Sequence, residues 1–370
     1  MVKKIYADNA ATTIMSQTAI ETMVRYLSTD YGNASQPYSF SRSAKEALKK
    51  ARAIIADCIG AMPNEIYFTS GGSESNNWAI FNAIEQCRDI VTSSIEHHAI
   101  LNPCKYAEFK GRVVSYLPVF ENGLICTSEI EKVLKPNGFL SVMMANNEIG
   151  TIEPIKQYGL IAKSKNVIFH TDAVQAMGHI NIDVKDLNVS MLSASGHKFN
   201  GPKGIGFLYI KDGLTIEPYI KGGEQEFGRR AGTENVPAIM AMAVALRENV
   251  ENLDNNISYL NKLEEIFFDK LGKTSSRIVR NGTNQLPGLL SLSVEGFDGE
   301  SLLHRFDLKG IYISTGSACD SKNTQVSHVL KAINISNLQA KSTIRISLSK
   351  FNTVEDVVYI ADCLTKIING

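Results

Sequence analysis

The sequence predicts an α/β protein in which a mostly parallel seven-stranded sheet lies between helices and a smaller α+β domain follows. Three observations predict it. Seven short β-rich runs recur between residues 66 and 210, and stretches of helical character separate them. From residue 236 the pattern changes to a long helical stretch and then to mixed elements.

The runs are 66–69, 90–92, 113–116, 140–144, 167–170, 189–192 and 205–210. Strands separated by helices of about ten or more residues form βαβ units, whose sheet is covered on both faces. Residues 236–271 carry Ala, Leu, Glu, Asn and Lys at helical spacing. Strands are expected at 290–294 and 311–314, an alternating strand at 343–347, and a final helix at 353–368. No Pro/Gly-rich linker appears, so the break between the two domains is expected inside the long helical stretch.

The chain has 370 residues, enough for two or three domains, and 44% hydrophobic with 21% charged residues excludes disordered and fibrous classes. Lys plus Arg and Asp plus Glu both number 38, so no whole-protein attraction to nucleic acid or to an anionic membrane is expected. The first eight residues turn polar before an apolar run can form. No signal peptide is therefore expected, and the location expected is cytoplasmic. The six cysteines, at 58, 87, 104, 126, 319 and 363, form no C-x-x-C pair, which argues for reduced thiols and no metal.

Lys198, in Ser195-Gly196-His197-Lys198, follows an apolar strand and precedes a Gly/Pro turn, the edge of an α/β sheet where ligands bind. Asp172 directly follows another apolar strand. It can cap a helix starting at Ala173, or it can pair with Lys198 in chemistry. A pyridoxal phosphate (PLP) enzyme needs such a lysine for its Schiff base and a carboxylate to keep the pyridine nitrogen protonated. The segment 69–77, Thr-Ser-Gly-Gly-Ser-Glu-Ser-Asn-Asn, reads as a Ser-capped helix start or as an anion cradle for the phosphate.

His97 and His98 are adjacent and make a poor metal pair; one can stack on a flat ring, and spacing does not say which. Arg345 is a surface ion-pair partner or, facing a cleft, a bidentate clamp for an α-carboxylate. Cys319 stands in a polar, small-residue stretch, whereas Cys58 and Cys363 lie in apolar helical patterns. It is a candidate nucleophile or an incidental loop thiol. Thr233 follows a Gly-rich loop and can cap the helix after it.

Taken together, ADNAATT at 7–13, TSGGSESNN, IEHHA, NNEIG at 146–150, TDAVQ, SGHK, RRAGTEN at 229–235, STGSAC and IRIS resemble a cysteine desulfurase of the NifS/IscS-like kind. That group lies within the aminotransferase class V family of fold-type I PLP-dependent transferases, and the resemblance runs nearly end to end. It implies Lys198 as the Schiff-base lysine, Asp172 at the pyridinium, and Gln175 donating to the ring's phenolic oxygen. Gly72, Ser73, Ser195 and His197 would hold the phosphate, with Thr233 donated by the other subunit of a homodimer. His97 would stack on the ring, and Asn147 and Arg345 would hold the carboxylate of L-cysteine. Cys319 would accept the sulfur as a persulfide, for delivery to a protein sulfur acceptor in iron-sulfur cluster assembly or in tRNA or cofactor thiolation. Its separation from Ser327-His328-Val329-Leu330 matches the longer loop of the group I branch. The division implied is a large PLP-binding domain over 15–252 and a small one over 1–14 plus 253–370. Selenocysteine cleavage, another PLP-dependent transfer, or a non-catalytic sulfur relay are the alternatives; a relay needs neither Lys198 nor Asp172.

Overall fold

A computed structural model describes residues 3–315 and 326–370. All seven expected runs become strands: Ile66–Thr69, Asp89–Ser93, Val113–Leu117, Phe139–Ser141, Ile168–Asp172, Met191–Ser195 and Gly206–Ile210. They join in one sheet, in the order 66–69, 206–210, 191–195, 168–172, 139–141, 89–93, 113–117. Four pairings are parallel. Gly206–Ile210 is antiparallel to both its neighbours, because the link before it holds only a one-turn helix at Gly196–Lys198 and has no room for a crossover helix.

Residues alternate between two cores, as a pleated strand requires. Ile66, Phe68, Phe169, Leu192 and Phe207 enter one cluster, and Tyr67, Phe139, Met191 and Leu208 enter another with Trp78. The strand expected at 189–192 forms two residues later, at 191–195. Its ladder with the neighbouring strand, from Met191↔Ile210 to Ser195↔Gly206, draws Ser193, Ala194 and Ser195 into the sheet despite their low β-propensity. That shift brings the strand end to the residues just before Lys198.

The long helical stretch divides at Asn252 into Val236–Glu251 and Leu253–Leu271. The first of these helices is buried along most of its length. The second, with the helix Val354–Asn369, covers a four-stranded antiparallel sheet ordered 314–315, 343–347, 289–294, 278–280. A separate core of Phe267, Leu292, Phe306, Ile344 and Leu364 sits there, joined by Ile5 from the amino terminus. The strand expected at 311–314 splits in two: Ile311–Tyr312 pairs in parallel with Ile5–Tyr6, and Ser314–Thr315 pairs with the strand carrying Arg345. Among the described residues no helix is long and apolar enough to cross a membrane.

Candidate active site

The carboxyl ends of the parallel strands open on a cavity of about 590 Å³. Gly72, Ser73, His97, Asn147, Asp172, Gln175, Ser195, His197, Lys198 and Arg345 all line it. These residues come from six separate segments of chain, and the sheet order brings them together.

Asp172 ends its strand buried, and no helix follows it; residues 174–179 form turns. Its carboxylate therefore caps nothing helical. Oδ1 accepts from the Val174 N–H at 2.9 Å and Oδ2 from the Asn76 side chain at 2.6 Å. Burial pushes its pKa up against those hydrogen bonds and the nearby cations, so the site favours a positive or proton-donating group facing it. Asn76 went unassigned in the sequence, although it lies within the same Ser/Gly/Asn run that marked the cradle. Gln175 Oε1 is buried without a partner.

The helix Gly72–Gln86 starts from Gly71 rather than from a serine, and no side chain caps it. Gly71 has φ of +150°, a backbone region that disfavours side chains, and a Cβ on Gly72 would stand 2.5 Å from Val174 Cγ2. The first turn of that helix thus meets the cavity as backbone, with its positive dipole end and the Ser73 hydroxyl available to an anion. These features fit PLP: an anion cradle, a buried carboxylate awaiting a cation, and a lysine beside them.

Lys198 Nζ donates to the carbonyls of Ala10 at 2.5 Å and Ala11 at 3.0 Å, and its own carbonyl bonds with His179 Nε2 at 2.9 Å. His197 Nδ1 meets Thr12 Oγ1 at 3.1 Å. Burial, followed by the charges of Lys198 and Lys203, pushes His197 down to about 4, so it is neutral at pH 7. His97 Nδ1 accepts the Ala99 N–H at 3.0 Å as the cap of its helix, which places the proton of the neutral ring on Nε2. Burial lowers its pKa as well. His97 lines the cavity, whereas the His98 ring turns to that of His328 at 4.8 Å.

Arg345 is no surface residue. It is 5% exposed, ion-paired with Asp8 at 2.8 Å, and donates through Nη1 to the Asn147 carbonyl at 2.9 Å. Thr233 is exposed and lies outside this cavity, and Asn235, not Thr233, caps the following helix. Cys319 lies outside the described residues. Of the other cysteines, Cys87, Cys104 and Cys363 are buried, and Cys58 and Cys126 are half-buried. None of these five lines the cavity. Burial pushes Cys58 up to about 11 and Cys104 up to about 12, leaving them as inert thiols.

A match to the aminotransferase class-V family runs over residues 5–360. The chain belongs to that family, in its cysteine desulfurase branch. It is 44% identical to the cysteine desulfurase IscS of Methanosarcina thermophila, over 99% of this chain and 92% of that protein. Among solved structures, a NifS-like protein superposes with a TM-score of 0.93 at 36% identity, over 99% of this chain and all of the other. SspA in complex with cysteine superposes at 0.83 with 38% identity, over 95% of this chain and all of SspA. The family is PLP-dependent, and so is this member.

Proposed function

We propose that the chain is a cysteine desulfurase that converts L-cysteine and the Cys319 thiol into L-alanine and a Cys319 persulfide. The observation that carries this reading is a single cavity holding Lys198, buried Asp172 and the uncapped start of the helix Gly72–Gln86. Full-length identity to named cysteine desulfurases supports the choice of substrate.

Bound here, PLP supplies a carbonyl that takes up amines and an electron-poor ring that accepts charge from the substrate's α-carbon. Gly72, Ser73, Ser195 and His197 hold its phosphate through backbone N–H, hydroxyl and neutral imidazole groups. Asp172 keeps the ring nitrogen protonated, and Gln175 donates to the ring's phenolic oxygen. His97 lies against the ring and carries a proton on Nε2. Lys198 Nζ would hold the cofactor and, when freed, would take the α-proton of the substrate. Asn147 and Arg345 grip the substrate carboxylate. The Cys319 thiolate attacks the substrate sulfur, the C–S bond breaks, protonation at the former C–S carbon makes the methyl group, and return of a proton from Lys198 to the α-carbon completes alanine.

The remaining assignments belong to the same reading. The enzyme works as a cytoplasmic homodimer in which Thr233 of one copy donates to the phosphate site of the other. Residues 15–252 form its cofactor domain, and 1–14 with 253–370 its small domain. The persulfide passes to a protein acceptor for iron-sulfur assembly or for tRNA or cofactor thiolation.

The test is mass spectrometry after incubation with L-cysteine. One added sulfur on Cys319 and alanine released in equal amount are expected. Cys319→Ser should still give the change in cofactor absorbance on L-cysteine binding while forming no persulfide. A persulfide found on Cys58, Cys87, Cys104, Cys126 or Cys363 instead overturns the assignment.

A further inference from the structure

The segment Asp8 to Thr12 crosses the cavity and touches three of its groups. The Ala10 and Ala11 carbonyls accept from Lys198 Nζ, Thr12 Oγ1 meets His197 Nδ1, and Asp8 Oδ1 accepts from Arg345 Nη2 at 2.8 Å. The backbone holds this segment in place. Ser347 donates its N–H to the Ala7 carbonyl at 2.7 Å and accepts from the Asn9 N–H at 3.1 Å, which seats Asp8 beside the strand Thr343–Ser347 that carries Arg345. The Asp8 carbonyl is also fixed, by the Ala11 N–H and the Tyr6 hydroxyl, each at 3.0 Å.

Arg345 lines the cavity, while Asp8 does not. The carboxylate therefore takes one Nη from outside the cavity lining, while the carbonyl of Asn147, itself a lining residue, takes the other at 2.9 Å. A guanidinium recognises a carboxylate through a rigid, directional fork, so its orientation decides how much of that recognition is realised. Two fixed acceptors, one on each Nη, hold the guanidinium in a single orientation at the cavity wall.

We infer that Asp8 is a positioning residue that aims the Arg345 fork at the α-carboxylate of the amino-acid substrate. The inference rests on the reading of Arg345 as the carboxylate clamp. It assigns Asp8 no part in the chemistry at sulfur.

The test uses the PLP-loaded enzyme with L-serine and ethanolamine, which share an amine and a hydroxyl and differ in the carboxylate. Neither has a sulfur to transfer, so binding is read from the cofactor's absorbance without turnover. Losing a charge-assisted hydrogen bond predicts that Asp8→Ala raises the dissociation constant of L-serine about tenfold or more. That of ethanolamine should stay unchanged. Asp8→Asn keeps an oxygen acceptor of the same size, so it should show a smaller rise with the same selectivity, and it keeps the test open should the alanine variant fail to fold. Equal changes for both ligands in these variants, or no change for either, overturn the inference. Arg345→Gln separates the two readings. If it leaves the preference for L-serine intact, the clamp reading falls and Asp8 falls with it. If it erases the preference while both Asp8 variants keep it, only the Asp8 assignment fails.

Discussion

The cofactor side of the cavity and its carboxylate side are built over very different spans of chain. The cofactor side draws on Gly72, Ser73, His97, Asp172, Gln175, Ser195, His197 and Lys198, all between residues 72 and 198 and all on or just beyond the strand ends of one sheet. Arg345 meets Asp8 across 337 positions and the Asn147 carbonyl across 198. The first side depends on the register of one sheet; the second depends on how a second sheet and the amino-terminal segment close over it. Damage to the first should cost the enzyme its cofactor chemistry, whereas damage to the second should cost it only recognition of the substrate.

Lys198→Ala is the largest expected break. It removes the covalent hold on PLP and the base together, and loss of a positioned acid-base group alone lowers turnover by about 10²–10⁴-fold. Borohydride trapping should find no cofactor linked to the variant; a link that survives would move the assignment to another lysine. On the carboxylate side, Arg345→Gln should raise the KM for L-cysteine by roughly 10- to 100-fold, from the loss of hydrogen bonds to a charged group. Its cofactor absorbance in the absence of amino acid should match the unaltered enzyme, and a variant that loses PLP would erase the distinction between the two sides.

Mixing inactive Lys198→Ala chains with Thr233→Ala chains sharpens the comparison further. If Thr233 serves the other copy, a mixed dimer has one site with both residues intact and one with neither. Random exchange at equal amounts makes half the dimers mixed, so activity should rise to about a quarter of the unaltered level, above any residue left by the Thr233→Ala dimers. No recovery after verified exchange would place Thr233 in its own chain's site or in none.

The smallest expected effect is a stability slope under the cofactor side. Glu96 is fully buried, accepts from the Ser93 hydroxyl at 2.6 Å and the Met143 N–H at 2.8 Å, and burial pushes its pKa up to about 8. A carboxyl whose folded pKa lies above its unfolded value of about 4.3 stabilises the fold most at acid pH, and that contribution is lost as pH rises towards 8. Glu96→Gln cannot titrate. Its Tm should therefore gain on that of the unaltered protein between pH 5 and pH 8, and a pH-independent difference would refute the assignment.

Much of the cofactor side was legible because its groups are of rare chemical type at strand ends, where periodicity alone places them. Lys198 and Asp172 stood out in that way, and the structure puts both in one cavity. Asn76 did not stand out, since a polar residue inside a Ser/Gly/Asn run looks like part of a helix start until Asp172 is seen 2.6 Å away. Three local readings also changed. Gly71 replaces a serine cap, Asn235 replaces Thr233, and Asp172 caps no helix, because neighbouring residues compete for the same few N–H groups and only backbone geometry decides between them. The arginine was harder. An isolated Arg on an alternating strand is compatible with solvent or with a cleft, and 5% exposure settles it only after the sheets are assembled.

By itself the sequence determined what depends on short-range pattern: the seven strands of the main sheet, the helical stretches between most of them, and a set of motifs that names a family. Those properties follow from hydrophobic period and residue chemistry within a few positions. Only the tertiary structure decided the splitting of the run at 311–314 between two sheets and the meeting of Asp8 with Arg345. Each of these turns on which distant segment satisfies a strand's hydrogen bonds or a buried charge, a choice made by the packing of whole elements that no local stretch of chain encodes.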